Sequence, residues 1–124
     1  MVKRLTAVAV AVLAACSSTP PAAAPGAIPQ LAGRTAGTPQ SCVTIHRDEN
    51  LVVVDSRTVL YGSGKTVWLN HLRTECPGMN RMNILVTEPH GGQYCSGDTV
   101  RSLDPVSRVP GPTCVLGDFV PYSL

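Results

Sequence analysis

Five cysteines constrain this chain more than any other feature. Cys16 closes a short apolar run, and Cys42, Cys76, Cys95 and Cys114 are spread through residues 42–124. An even number of cysteines in so short a stretch predicts two disulfides formed in an oxidising compartment. A body of this size buries little apolar surface, so crosslinks of about 3–4.5 kcal/mol each carry weight. Four cysteines allow three pairings. We expect Cys76–Cys95, closing a loop around one predicted strand, and Cys42–Cys114, tying the two ends of the body together. Zinc does not suit the pattern: the spacings of 34, 19 and 19 hold no Cys-x-x-Cys knuckle. No metal or other cofactor is expected.

Alanine marks where the body begins. All eleven alanines fall between Ala7 and Ala36, whereas residues 42–124 hold none but contain twelve valines and seven threonines. The chain therefore divides into three parts, 1–15, 16–41 and 42–124, and is too short for a large enzyme or a repeat array.

Lys3 and Arg4 precede an apolar run from Leu5 to Ala15. About 20 residues are needed to cross a bilayer core of about 30 Å, so this run is too short to span and reads as a secretory signal. It ends in Leu13-Ala14-Ala15-Cys16, which resembles the lipobox of bacterial lipoproteins. The resemblance implies a diacylglycerol thioether on Cys16, cleavage before it and acylation, by palmitate for instance, of the new amino terminus. Several acyl chains hold a membrane far more firmly than one. Ser17 follows where an aspartate would retain a lipoprotein at the inner membrane. The implied location is the cell envelope, on the periplasmic face of the outer membrane.

Residues 16–41 carry five prolines, three glycines and the single charge of Arg34. Such a segment denies a helix its hydrogen bonds and reads as a semi-extended tether, unless Ile28 and Leu31 dock on the body. The net charge of +2 belongs to Lys3 and Arg4; without them eight basic residues face eight acidic ones. A neutral body lacks the field that gathers nucleic acid, so no nucleic-acid partner is expected.

The body reads as all-β. Cys42–His46 alternates, Leu51–Val54 is a β-branched run suited to burial on both faces, and Thr58–Tyr61 follows a polar turn. Thr66–Leu72 puts Trp68, Asn70 and Leu72 on one face and Val67, Leu69 and His71 on the other. Met82–Thr87, Gln93–Cys95, Thr99–Leu103 and Thr113–Leu116 are further strands, and Pro105–Pro112 reads as a loop. This pattern predicts a small disulfide-stapled barrel or sandwich of about six or seven short strands.

No catalytic constellation emerges. Gly62-Ser63-Gly64-Lys65-Thr66 ends like a phosphate loop, but the required earlier glycine is Val59 and the following residues are strand-like, so the segment reads as a hairpin. His46, His71 and His90 lack ligand spacing. Ser96 lies in no Gly-x-Ser-x-Gly elbow. Asp55 and Asp98 read as turn caps, with Asp55 accepting backbone N–H groups and Arg57 pointing outward or pairing with an acid.

The patches Val54-Asp55-Ser56-Arg57-Thr58, Leu69-Asn70-His71-Leu72, Cys76-Pro77-Gly78, Tyr94-Cys95-Ser96-Gly97-Asp98 and Cys114-Val115-Leu116-Gly117-Asp118-Phe119 occur in order. Together they resemble, over about residues 42–122, a family of small exported bacterial proteins whose domain has no assigned function. The resemblance supplies no catalytic residues. The expected function is a lipid-anchored envelope protein whose β domain is a binding or structural module, with an envelope protein as a possible partner. The rival expectation is a small envelope hydrolase using Asp55 or Asp98.

Overall fold

The computed structural model describes residues 23–124, together with Ala9 and Ala11. The predicted leader, Cys16 and the first part of the tether otherwise lie outside the described residues. Ten strands form among the described residues: β1 (Thr35–Ala36), β2 (Cys42–Thr44), β3 (Leu51–Asp55), β4 (Thr58–Tyr61), β5 (Thr66–His71), β6 (Ile84–Thr87), β7 (Gln93–Cys95), β8 (Thr99–Leu103), β9 (Pro110–Val115) and β10 (Phe119–Ser123). They build an antiparallel five-stranded sheet, ordered β1-β10-β5-β4-β3, a three-stranded sheet β6-β8-β9 and a pair β2-β7. The domain is all-β, and these sheets do not merge into a closed barrel.

The alternation in Thr66–His71 explains why the large sheet has two apolar faces. Val67 and Leu69 pack with Leu60, Ile28 and Leu31 on one face. On the other, Val59, Tyr61, Leu72, Val100, Leu116 and Phe119 form the main core with both members of Cys76–Cys114, and Trp68 packs against it. All four residues of β4 are buried as a result. Leu51–Val54 does not have that double burial. It is the outer strand of the sheet, so Val53 is buried while Val52 is half exposed.

The segment expected as a tether is packed on the body from residue 23 onward. Two 3-10 turns, Pro25–Ala27 and Pro29–Leu31, place Ile28 and Leu31 over the second face, where they are 1% and 4% exposed. Proline favours these turns, since each opens with one in a position that needs no N–H. Burying the two side chains contributes about 1.5–3 kcal/mol each, enough to hold a short arm.

β1 and β10 are the strands that the sequence pattern does not announce, because β10 contains Pro121. Phe119 exchanges two backbone bonds with Gln40, and Pro121 accepts the Gly37 N–H at 2.7 Å. By strand alternation the missing N–H of Pro121 faces that same side, where β1 covers only two residues, and costs the ladder with β5 nothing. The loop expected to end at Pro112 is shorter, since β9 starts at Pro110.

The disulfides are Cys42–Cys95 and Cys76–Cys114, not the nested pairs expected. Strand pairing decides the first: β2 runs against β7 with Cys42 directly opposite Cys95. The second follows from the loop after β5. Cys76 is anchored there by its N–H on the Ser56 carbonyl at 2.7 Å, and its sulfur is bonded to that of Cys114 on β9. Nesting fails because Cys95 is already committed to the opposite strand.

Candidate functional site

Asp55 and Arg57 share one turn, and Asp98 sits in another. Asp55 ends β3, and the hairpin to β4 passes through Ser56 and Arg57. One Asp55 carboxylate oxygen accepts the Arg57 N–H at 2.8 Å and the other accepts the Ala23 N–H at 3.0 Å. The carboxylate thus closes an Asx turn and pins the arm at once. Asp55→Ala is expected to lower stability by roughly 1–3 kcal/mol, through two stranded donors. Asp55→Asn is expected to fall between, because its one oxygen still closes the turn while its amide N–H₂ opposes Ala23. Urea unfolding of the three proteins checks the order. The Arg57 side chain makes no ion pair among the described residues; its carbonyl accepts the Leu72 N–H at 2.8 Å.

Asp98 lies between β7 and β8 and accepts the Cys95 N–H at 2.8 Å. His90 approaches it at 3.8 Å. Ser96 is held by Arg73 at 3.2 Å. None of these residues meets Asp55, and no group of three or more metal-ligating side chains gathers among the described residues.

A cleft of about 520 Å³ opens elsewhere, between the β2–β7 pair and the hairpin joining β4 to β5. Tyr61, Val43 and Trp68 line it with the Cys42 end of the disulfide, and Gln40, Thr44, His46, Glu49, Lys65 and Gln93 add polar groups. Neither Asp55 nor Asp98 lines it. The hairpin tip supplies one wall, turning through Gly62 and Gly64 at φ of 90° and 80°, values that side chains rarely adopt. Glu49 braces this tip: one carboxylate oxygen accepts the Ser63 N–H at 3.1 Å and the Ser63 hydroxyl at 3.2 Å. Tyr61 braces the other wall. Its hydroxyl donates to the Thr44 carbonyl at 2.9 Å and accepts the His46 N–H at 2.8 Å. Burial raises the Tyr61 pKa above its ordinary value near 10, and Glu49 adds to the shift, so the hydroxyl stays protonated and keeps both bonds. Tyr94 meets the Tyr61 ring edge-on at 5.3 Å.

Residues 1–116 match the protein family described as a family of unknown function, DUF6491. The chain belongs to this family. No match is found among curated proteins or solved structures. The match to DUF6491 spans the leader-like run and Cys16 as well as most of the β domain. It is thus longer at the front than the resemblance seen in residues 42–122, and it stops before β10.

Within this DUF6491 chain the cleft is assembled from positions that share no local motif. Gln40 precedes β2, Glu49 follows it, Lys65 closes the hairpin tip and Gln93 opens β7. The one legible sign is Trp68, a large aromatic side chain left half-buried in a domain whose Tyr61 and Phe119 are fully buried.

Proposed function

We propose that this protein is a lipid-anchored component of the bacterial cell envelope whose β domain is a binding module. The module reading rests on the cleft around Trp68, which joins an aromatic wall to unspent polar side chains. The anchor rests on Leu13-Ala14-Ala15-Cys16 with the charged residues before it. Ser17 in place of aspartate directs it to the outer membrane, with the domain facing the periplasm. Hydrolysis by a carboxylate pair finds less support. Glycoside chemistry needs two carboxyl groups flanking one bond, whereas Asp55 and Asp98 cap separate turns and Glu49 is the cleft's one carboxylate.

Cys16→Ala removes the thioether and is expected to move the protein from the membrane pellet to the soluble fraction. A photocrosslinking residue at position 93, which lines the cleft, is expected to capture envelope material that the same residue at position 106, outside the cleft lining, does not. An alanine variant that stays in the pellet overturns the anchor. Equal labelling from both positions overturns the module.

A further inference from the structure

We propose that the Trp68 cleft binds a short saccharide, of about two sugar rings, a ligand class that rests on reading the domain as a binding module. Trp68 is the chain's one tryptophan. It sits in β5 with part of its surface against the main core and part exposed on the cleft. A sugar ring has an apolar C–H face and a rim of hydroxyl or acetamido groups. It is therefore matched by an aromatic surface edged with uncharged donors and acceptors.

The cleft offers that edge. Its internal side-chain hydrogen bonds are made by Tyr61, Glu49, Ser63 and Thr66. Among the described residues, Gln40, Thr44, His46, Lys65 and Gln93 spend no side-chain polar atom on the protein, and all five are exposed. Thr44 and Gln93 are direct partners across the β2–β7 pair, so their side chains rise together from one wall. A purely apolar ligand would strand these groups without partners. A polyphosphate or nucleic acid would need clustered cations, and the cleft offers Lys65 and His46 against Glu49. The volume of about 520 Å³ lies in the range of small-ligand sites and exceeds two other clefts of about 130 Å³ and 300 Å³.

The single tryptophan makes the test direct, because all indole emission reports this one site. The oxidised protein is titrated with N-acetylglucosamine oligomers of two to four rings and, separately, with cellobiose. The expected result is a saturable change in Trp68 emission. Gln93→Ala and Thr44→Ala are each expected to weaken it about fivefold, the loss of one hydrogen bond. Val106→Ala, in an exposed loop that does not line the cleft, is expected to bind like the parent. Trp68→Phe, read by calorimetry because it is dark, is expected to bind about tenfold more weakly. Response to the acetylated oligomers alone assigns an acetamido-bearing glycan, and response to both sugars assigns a neutral ring in general. No saturable change with either sugar, in protein that unfolds at the parental temperature, overturns the saccharide assignment. Position-specific crosslinking at residue 93 would still stand in that case, which separates failure of the ligand class from failure of the module. Binding that Gln93→Ala and Thr44→Ala leave untouched also overturns the proposal.

Discussion

Reducing both disulfides is expected to unfold the domain under conditions in which the oxidised protein is stable. Cys76–Cys114 spans 38 positions and Cys42–Cys95 spans 53. In the chain-entropy model loops of these lengths contribute about 4 kcal/mol each. The loops interlock, since Cys76 lies inside the Cys42–Cys95 loop and Cys95 inside the Cys76–Cys114 loop. Their contributions therefore add imperfectly, yet losing both removes much of the roughly 5–15 kcal/mol that holds a small domain together. Either crosslink alone is expected to be survivable, and Cys76→Ala with Cys114→Ala is the costlier pair. Those two cysteines lie within the main core, at 0% and 3% exposure, so removing their sulfurs also leaves a void. Cys42–Cys95 joins a strand pair of only three residues, whose loss loosens the cleft wall more than the core. Trp68 emission before and after reduction, with thermal unfolding of the two double variants, checks these results. Non-reducing mass mapping is expected to return Cys42–Cys95 and Cys76–Cys114.

Where the outcome depends on one strand, the sequence is a good guide. The alternation of Thr66–His71 carries its two faces openly, and the cores on either side of β5 follow it. Pairing between distant strands leaves no local mark. Cys42 meets Cys95 only because β2 lies against β7, and nothing near either cysteine encodes that neighbour. The arm is hidden for a different reason. Its proline and glycine content describes the average residue, while Ile28 and Leu31 alone decide that it docks. β10 is masked by Pro121, whose tolerance depends on which side of the strand β1 fails to cover. The cleft is the least legible feature, since its polar residues come from four separate places in the chain.

The segments 69–72 and 114–119 meet through one side chain, and breaking that contact is expected to be nearly as costly as losing a disulfide. Asn70 on β5 is fully buried, in register with Val59 on one side and Phe119 on the other. Its amide donates to the Gly117 carbonyl at 2.7 Å, and its oxygen accepts the Gly117 N–H at 2.9 Å. This clasp satisfies both backbone groups of the residue that turns β9 into β10. Asn70→Ala strands them and is expected to cost roughly 2–4 kcal/mol. Gly117 cannot give way in return, because a Cβ there would collide with the His71 carbonyl oxygen at the end of β5. That oxygen is main chain and not the end of a flexible side chain, so Gly117→Ala must shift backbone and is expected to cost about 3 kcal/mol. At roughly 4–8 °C per kcal/mol for a domain this size, either variant lowers Tm by more than about 8 °C. The double variant tests the clasp itself. Once Gly117→Ala has displaced the turn, removing the Asn70 amide should cost far less than it does alone. Full additivity in thermal unfolding would mean that Asn70 stabilises β5 through packing and not by holding the β9–β10 turn.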